Sequence, residues 1–130
     1  MKNLTLIIGA IYGLTSVILG AMGSHAFKKI LSAEKLQSFE TGIKYQMYHA
    51  LVLIILGFFL KFETQQEKTM SWLFISGTFL FSVSIYFLSF QEVLGKNLKF
   101  LGPITPLGGV LMISGWAMLL YFFIKFKNLS

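Results

Sequence analysis

Residues 4–26 read LTLIIGAIYGLTSVILGAMGSHA and contain neither Lys nor Glu. An α-helix needs roughly 20 apolar residues to cross the hydrocarbon core of a bilayer, and this segment is long enough to do so. Lys2 precedes it, so the segment has the outline of a secretory signal peptide. Its apolar stretch is longer than that of a usual signal peptide. We therefore expect a retained first transmembrane helix.

The rest of the chain is equally apolar. Of its 130 residues, 55% are hydrophobic and only 12% are charged, which is about half the charged share of a soluble domain. A chain of this length cannot bury so much apolar surface in its own core, so lipid must cover the remainder. We predict one all-α domain, residues 1–130, built as a four-helix transmembrane bundle. The predicted crossings are residues 4–26, 43–62, 71–90 and 107–124.

The charged residues exclude several classes of function. The formal net charge is +6, with 11 Lys, five Glu and no Cys, and neither Arg nor Asp occurs. Without guanidinium groups, which bind phosphates through paired hydrogen bonds, we expect no nucleic-acid binding. Without Cys, disulfides and thiolate metal sites are excluded. The Lys residues divide almost equally between the two membrane sides, so the excess of positive charge that marks a cytoplasmic side gives no orientation.

The connection between the first two crossings has an amphipathic pattern. Phe27, Ile30 and Leu31 fall on one face, and Lys28 and Lys29 on another. This pattern predicts a helix in the membrane interface over about residues 27–41, with Ser32 as a local N-cap. A structural anchor and a helix that senses lipid or docks a partner are both consistent with it.

Small residues recur along one face of the first crossing at spacings of three and four. Such a face lets helix backbones approach closely in lipid. Packing within the bundle, self-association and docking to another subunit are all consistent with it, and the fourth crossing repeats the theme. The predicted packing residues are Gly9, Gly13, Ser16, Gly20, Gly23, Gly108 and Gly115.

Polar residues gather at one membrane face if the four crossings alternate in direction. Ionisable residues in membrane segments are candidates for function, so two hypotheses stay open: neutral histidines bonded to neighbouring helices, and histidines that contact a proton or ligand. No metal-binding motif joins the two histidines, so we predict no metal and no cofactor. With no Asp, no Cys and no Glu inside a crossing, we predict no catalytic residues and no enzymatic activity. The predicted polar cluster is His25, Tyr45, Gln46, His49 and Thr105.

Three blocks of the sequence carry a resemblance. They are GAMGSHAF at residues 20–27, FETGIKYQMYHAL at residues 39–51 and ITPLGG at residues 104–109. Together they resemble the small bacterial inner-membrane proteins of the YgdD/YwdK type, domain-of-unknown-function family 423. The resemblance covers nearly the whole chain and implies four transmembrane helices in a bacterial inner membrane. It implies no particular activity.

The sequence has many predicted packing residues and no predicted catalytic residues. This combination favours a structural or accessory subunit of a membrane assembly. Its expected partners are the lipid bilayer and a second protein or a second copy of the chain. The alternative is a small oligomeric transporter or channel for a small solute or protons, with its polar site near one membrane face.

Overall fold

The computed structural model describes residues 1–127. Four α-helices account for most of them: α1 (Lys2–Ser24), α2 (Ala33–Phe59), α3 (Gln65–Leu94) and α4 (Ile104–Lys127). Short 3₁₀ turns precede α2 and α4, at Phe27–Lys29 and Lys99–Leu101. All four helical segments are long and apolar enough to cross a membrane. The predicted all-α fold with four transmembrane helices is confirmed.

The predicted separate interfacial helix is not present as such among residues 1–127. Residues 27–29 form the 3₁₀ turn, and residues 33–41 are the first turns of α2, which continues unbroken to Phe59. The helix begins as predicted at Ser32, whose hydroxyl accepts a hydrogen bond from the Lys35 backbone at 3.2 Å. The amphipathic pattern has a different cause from the one expected. Phe39 is buried against Phe90 and Tyr86 of α3, so this apolar face packs on protein.

The third helix begins earlier than its apolar run indicated, because a capping box starts it. The Glu67 backbone donates to the Thr64 hydroxyl at 3.2 Å, and the Thr64 backbone donates to the Glu67 carboxylate at 3.0 Å. These two bonds satisfy backbone donors that a helix start otherwise leaves unpaired. The helix ends at Gly95, whose φ of 65° is a left-handed conformation that glycine adopts without strain.

The helices pack mainly on their neighbours in sequence. Helices α2 and α3 form a central pair, with α1 packed on α2 and α4 packed on α3. Within residues 1–127, the backbones of α1 and α4 do not approach each other. The outer faces of these two flanking helices are therefore the main lipid-exposed surfaces. The apolar core near the α2–α3 connection consists of Leu53, Leu56, Leu60, Phe62, Met70, Phe74, Ile75 and Leu119.

Glycine makes the closest contact between α3 and α4. A methyl group added to Gly108 would lie 2.8 Å from the Gly77 carbonyl oxygen and 2.9 Å from the Phe81 Cα. Both of these atoms are backbone atoms that cannot rotate away. Gly115, about two helical turns further along α4, is buried against the ring of Phe74. The two predicted packing residues of α4 thus lie at its contact with α3.

The small-residue face of α1 is only partly covered by α2. Gly9, Ser16 and Gly23 are buried, and an added methyl on Gly9 would lie 3.1 Å from the Ala50 carbonyl oxygen. Gly13 and Gly20 are half-exposed, and an added methyl at either position would meet its nearest neighbour at 3.9 Å. One row of small residues therefore packs tightly inside the chain, while a second row at its edge has room for a methyl group beside α2.

Candidate functional site

Gln46 is the centre of the largest polar contact among the helices. Its side-chain nitrogen donates to the Tyr12 carbonyl at 3.0 Å and to the Thr15 hydroxyl at 2.6 Å. Its side-chain oxygen accepts from the Tyr86 hydroxyl at 2.6 Å. We call these four residues the Gln46 network. It joins α1, α2 and α3 through one buried amide.

The Gln46 network lies deeper than the sequence suggested. Tyr12 and Thr15 are close to the middle of α1, which runs from Lys2 to Ser24. Gln46 is itself at the middle of α2 and only 5% exposed. Within the bundle, Gln46 therefore lies level with the middle of α1, because α2 extends beyond its apolar run toward residue 33.

His49 has both ring nitrogens in hydrogen bonds. Its Nδ1 lies 2.7 Å from the Tyr45 carbonyl oxygen, which can only accept, so Nδ1 carries the proton. Its Nε2 then accepts from the Trp116 indole nitrogen, 3.1 Å away on α4. This arrangement fixes one neutral tautomer. A metal or haem iron would have to displace Trp116 to reach Nε2.

The surroundings of His49 are aromatic. The imidazole is 4% exposed, stacks on Tyr45 with ring centroids 6.4 Å apart, and lies 5.7 Å from the ring of Phe74. Tyr45 itself is 42% exposed, at the outer edge of this group. The contact between His49 and Trp116 joins α2 to α4, whose backbones are held apart by α3.

The remaining two predicted site residues lie elsewhere. The Thr105 hydroxyl is 2.6 Å from the Ser84 hydroxyl, where it joins the start of α4 to α3. His25 is exposed just after α1, in a shallow surface depression that Lys28 and Lys29 also line. The structure therefore divides the predicted cluster into the Gln46 network, the His49–Trp116 pair, the Ser84–Thr105 pair and a surface histidine.

Sequence reasoning missed the partners of these residues. Tyr12, Thr15 and Trp116 occupy the middle of apolar helices, where a hydroxyl or indole N–H must find a partner inside the protein. A polar group in the middle of an apolar helix was therefore the sequence signal that could have identified these three residues. Three further interhelical bonds were also missed: Thr5 to Ser71 at 2.7 Å, Ser82 to the Gly42 carbonyl at 2.8 Å, and the Tyr12 hydroxyl to the Ile75 carbonyl at 2.7 Å. All of these groups hydrogen-bond one helix to another, which is the chemistry that the arrangement supplies.

Comparison with known proteins identifies relatives over almost the whole chain. Residues 19–109 match a family model described as a protein of unknown function, DUF423. The chain belongs to this family. It is 38% identical over 123 residues to the UPF0382 membrane protein YwdK of Bacillus subtilis, covering 93% of this chain and 96% of the relative.

A UPF0382 membrane protein of Staphylococcus haemolyticus is 37% identical over 124 residues, covering 95% of this chain and 98% of the relative. No solved structure matches the chain. The relatives are named membrane proteins, and the chain has four helices able to cross a bilayer. This DUF423 member is a multi-pass α-helical membrane protein in contact with lipid.

Proposed function

We propose that this DUF423 protein is a structural or accessory subunit of an assembly in the bacterial plasma membrane, the inner membrane where a cell has two. It docks a transmembrane helix of a partner, another subunit or a second copy, along the edge of α1. The observation that carries this proposal is the half-exposed pair Gly13 and Gly20. These residues are seven apart, and α2 covers both only in part, with room for a methyl group at ordinary contact distance.

The surroundings of these two glycines suit close helix packing. Ala10 and Ala21 are exposed on the adjacent face of α1, and Val17 is the exposed larger residue that lies between them. Association of helices in lipid depends on van der Waals contact, because lipid tails are as apolar as the helices themselves. Small side chains on α1 let a partner backbone come close enough to gain that contact. The bulkier exposed residues of α1, such as Ile7 and Ile18, suit lipid instead.

The internal hydrogen bonds support a packing role over transport. The amide of Gln46 is occupied on both its nitrogen and its oxygen, and both ring nitrogens of His49 are occupied. A solute or proton path through these residues would first have to break bonds that hold the helices together. The transporter hypothesis therefore needs a second conformation, whereas the packing hypothesis needs only this one.

The proposal is tested by the size of the protein in mild detergent or native nanodiscs. Wild-type protein is expected to run in a complex larger than one chain. The double variant Gly13→Leu, Gly20→Leu places two large side chains at the edge of α1. It should reduce the complex to the single chain. The control is Ala117→Leu, which introduces one Leu side chain at an exposed position of α4.

Circular dichroism and thermal unfolding establish that each variant keeps its helices. Wild-type protein that runs as a lone chain without a partner would overturn the proposal. Full retention of the complex by the folded double variant would remove the role of the α1 edge. Equal disruption by Ala117→Leu would show that added bulk acts non-specifically.

A further inference from the structure

A groove runs along the outside of the molecule between α2 and α4. Because α3 separates the backbones of these helices, α3 forms its floor. Two cavities follow one another along it, of about 430 Å³ and 280 Å³. Ile85 lines the first and Phe81 the second, one turn apart on α3. On α4, Pro106 lines the first cavity and Gly109 lines the second.

The outer end of the groove is polar and basic. Lys35, Ser38, Ser89, Gln91 and Thr105 line the first cavity, and Lys35 is the one charged residue among its described lining residues. Lys35 is half-buried, so its stem lies against the groove. A lysine in this position attracts an anionic group at the membrane surface.

The inner part of the groove is aromatic and apolar. Tyr45, His49, Phe81 and Trp116 line the second cavity, together with Met112 and Ile113. The polar atoms of His49 and Trp116 bond to each other. The groove therefore offers ring faces and methyl groups at this level, which suit a hydrocarbon chain.

The distance from the outer end of the groove to the level of His49 corresponds to one leaflet. Lys35 and His49 are fourteen residues apart on α2, about 21 Å at the helical rise of 1.5 Å per residue. Half of a bilayer including its headgroups measures roughly 20–22 Å. Beyond Trp116 the groove continues between Val52, Ile55 and Phe123, at the level of the opposite leaflet.

We infer that the α2–α4 groove binds one anionic phospholipid, with its phosphate at Lys35 and an acyl chain along Tyr45 to Trp116. The charge at the outer end selects the headgroup, and the aromatic and apolar part that follows it holds the chain. This site is separate from the α1 edge, which carries the proposed docking of a partner helix.

Native mass spectrometry with an equimolar mixture of phosphatidylglycerol and phosphatidylcholine of identical acyl chains tests this inference. Wild-type protein should retain one phosphatidylglycerol in preference to phosphatidylcholine. Lys35→Gln should lower that preference about fivefold, the effect of one lysine near a membrane surface. Lys96→Gln is the matched control, since Lys96 is an exposed lysine on the same membrane side but outside the groove.

A second variant tests the chain-binding part. An added methyl at Gly109 meets its nearest atom, Phe81 Cδ2, at 3.9 Å, so Gly109→Leu fills the groove without forcing the helices apart. It should reduce retention of both lipids. Equal retention of the two lipids by the wild type, or an equal effect of Lys96→Gln, would overturn the inference. So would a protein dimer that Gly109→Leu dissociates, because the groove would then be an interface between copies.

Discussion

Replacement of Gly108 by Ala tests how closely α3 and α4 must pack. The added methyl would lie 2.8 Å from the Gly77 carbonyl oxygen and 2.9 Å from the Phe81 Cα, whereas ordinary contact begins at 3.4 Å. The Phe81 backbone nitrogen lies closer still, so the helices must separate by more than about 0.5 Å at this point. A gap of this size forfeits about a quarter of the van der Waals attraction between each facing pair of atoms.

The neighbouring residue provides a matched control. Gly109→Ala gains the same helix propensity, about 1 kcal/mol, but its methyl group meets its nearest neighbour at 3.9 Å. The propensity gain cancels in the comparison, which leaves the overpacking cost of about 1–3 kcal/mol. We expect Gly108→Ala to be less stable than Gly109→Ala by that amount. The Ser84–Thr105 hydrogen bond, one turn away, should weaken with it.

The measurement is equilibrium unfolding in mixed micelles with increasing denaturing detergent, followed by circular dichroism. Gly109→Ala is expected to match or exceed the wild type in its free energy of unfolding. If Gly108→Ala proves as stable as Gly109→Ala, the close α3–α4 contact described here does not hold the two helices together.

Four further predictions use the same unfolding measurement or simple labelling. Gln46→Met removes three interhelical hydrogen bonds, each worth about 0.6 kcal/mol in a membrane protein. It should lower the free energy of unfolding by about 2 kcal/mol. An unchanged unfolding midpoint would contradict the Gln46 network. Ser16→Ala should be neutral or slightly stabilising, since the Ser16 hydroxyl is buried without a partner in the described part of the chain; a loss above about 1 kcal/mol would reveal a missed hydrogen bond. Thr64→Ala should cost about 1 kcal/mol by removing the capping box of α3, and no loss would show that packing alone sets the start of α3. Because the chain has no Cys, single cysteines at Glu63 and Lys96 should react with an impermeant maleimide from opposite sides of a sealed membrane; labelling of both from one side would refute the four-crossing topology.

Helix number and type were predictable because they depend on composition over long segments. A charge-free run of about 20 residues has few alternatives to a transmembrane helix, and the spacing of Gly108 and Gly115 indicated the contact face of α4 correctly. Ser32 predicted a helix start because its hydroxyl needs only local sequence to act as a cap. These features are local or periodic, so one sequence is enough to find them.

The partners of the polar residues were not predictable, because they depend on how the helices rotate and shift against one another. Gln46 was recognised as a candidate, but nothing in the sequence specifies that Tyr12, Thr15 and Tyr86 come to its level. The extent of α2 was missed for a related reason. Its first turns are amphipathic because Phe39 packs on α3, and the same pattern would also suit a helix lying on a membrane.

The packing of each helix on its neighbour in sequence has a consequence for synthesis. The contact between α1 and α2 requires no later part of the chain, and α3 and α4 each add to a partner that has already been made. Chains rich in local contacts fold quickly, and domains generally form from the N-terminal end during translation. Assembly of this protein need not wait for its last helix: the Gln46 amide nitrogen finds Tyr12 and Thr15 on α1, whereas the His49–Trp116 bond forms only with α4.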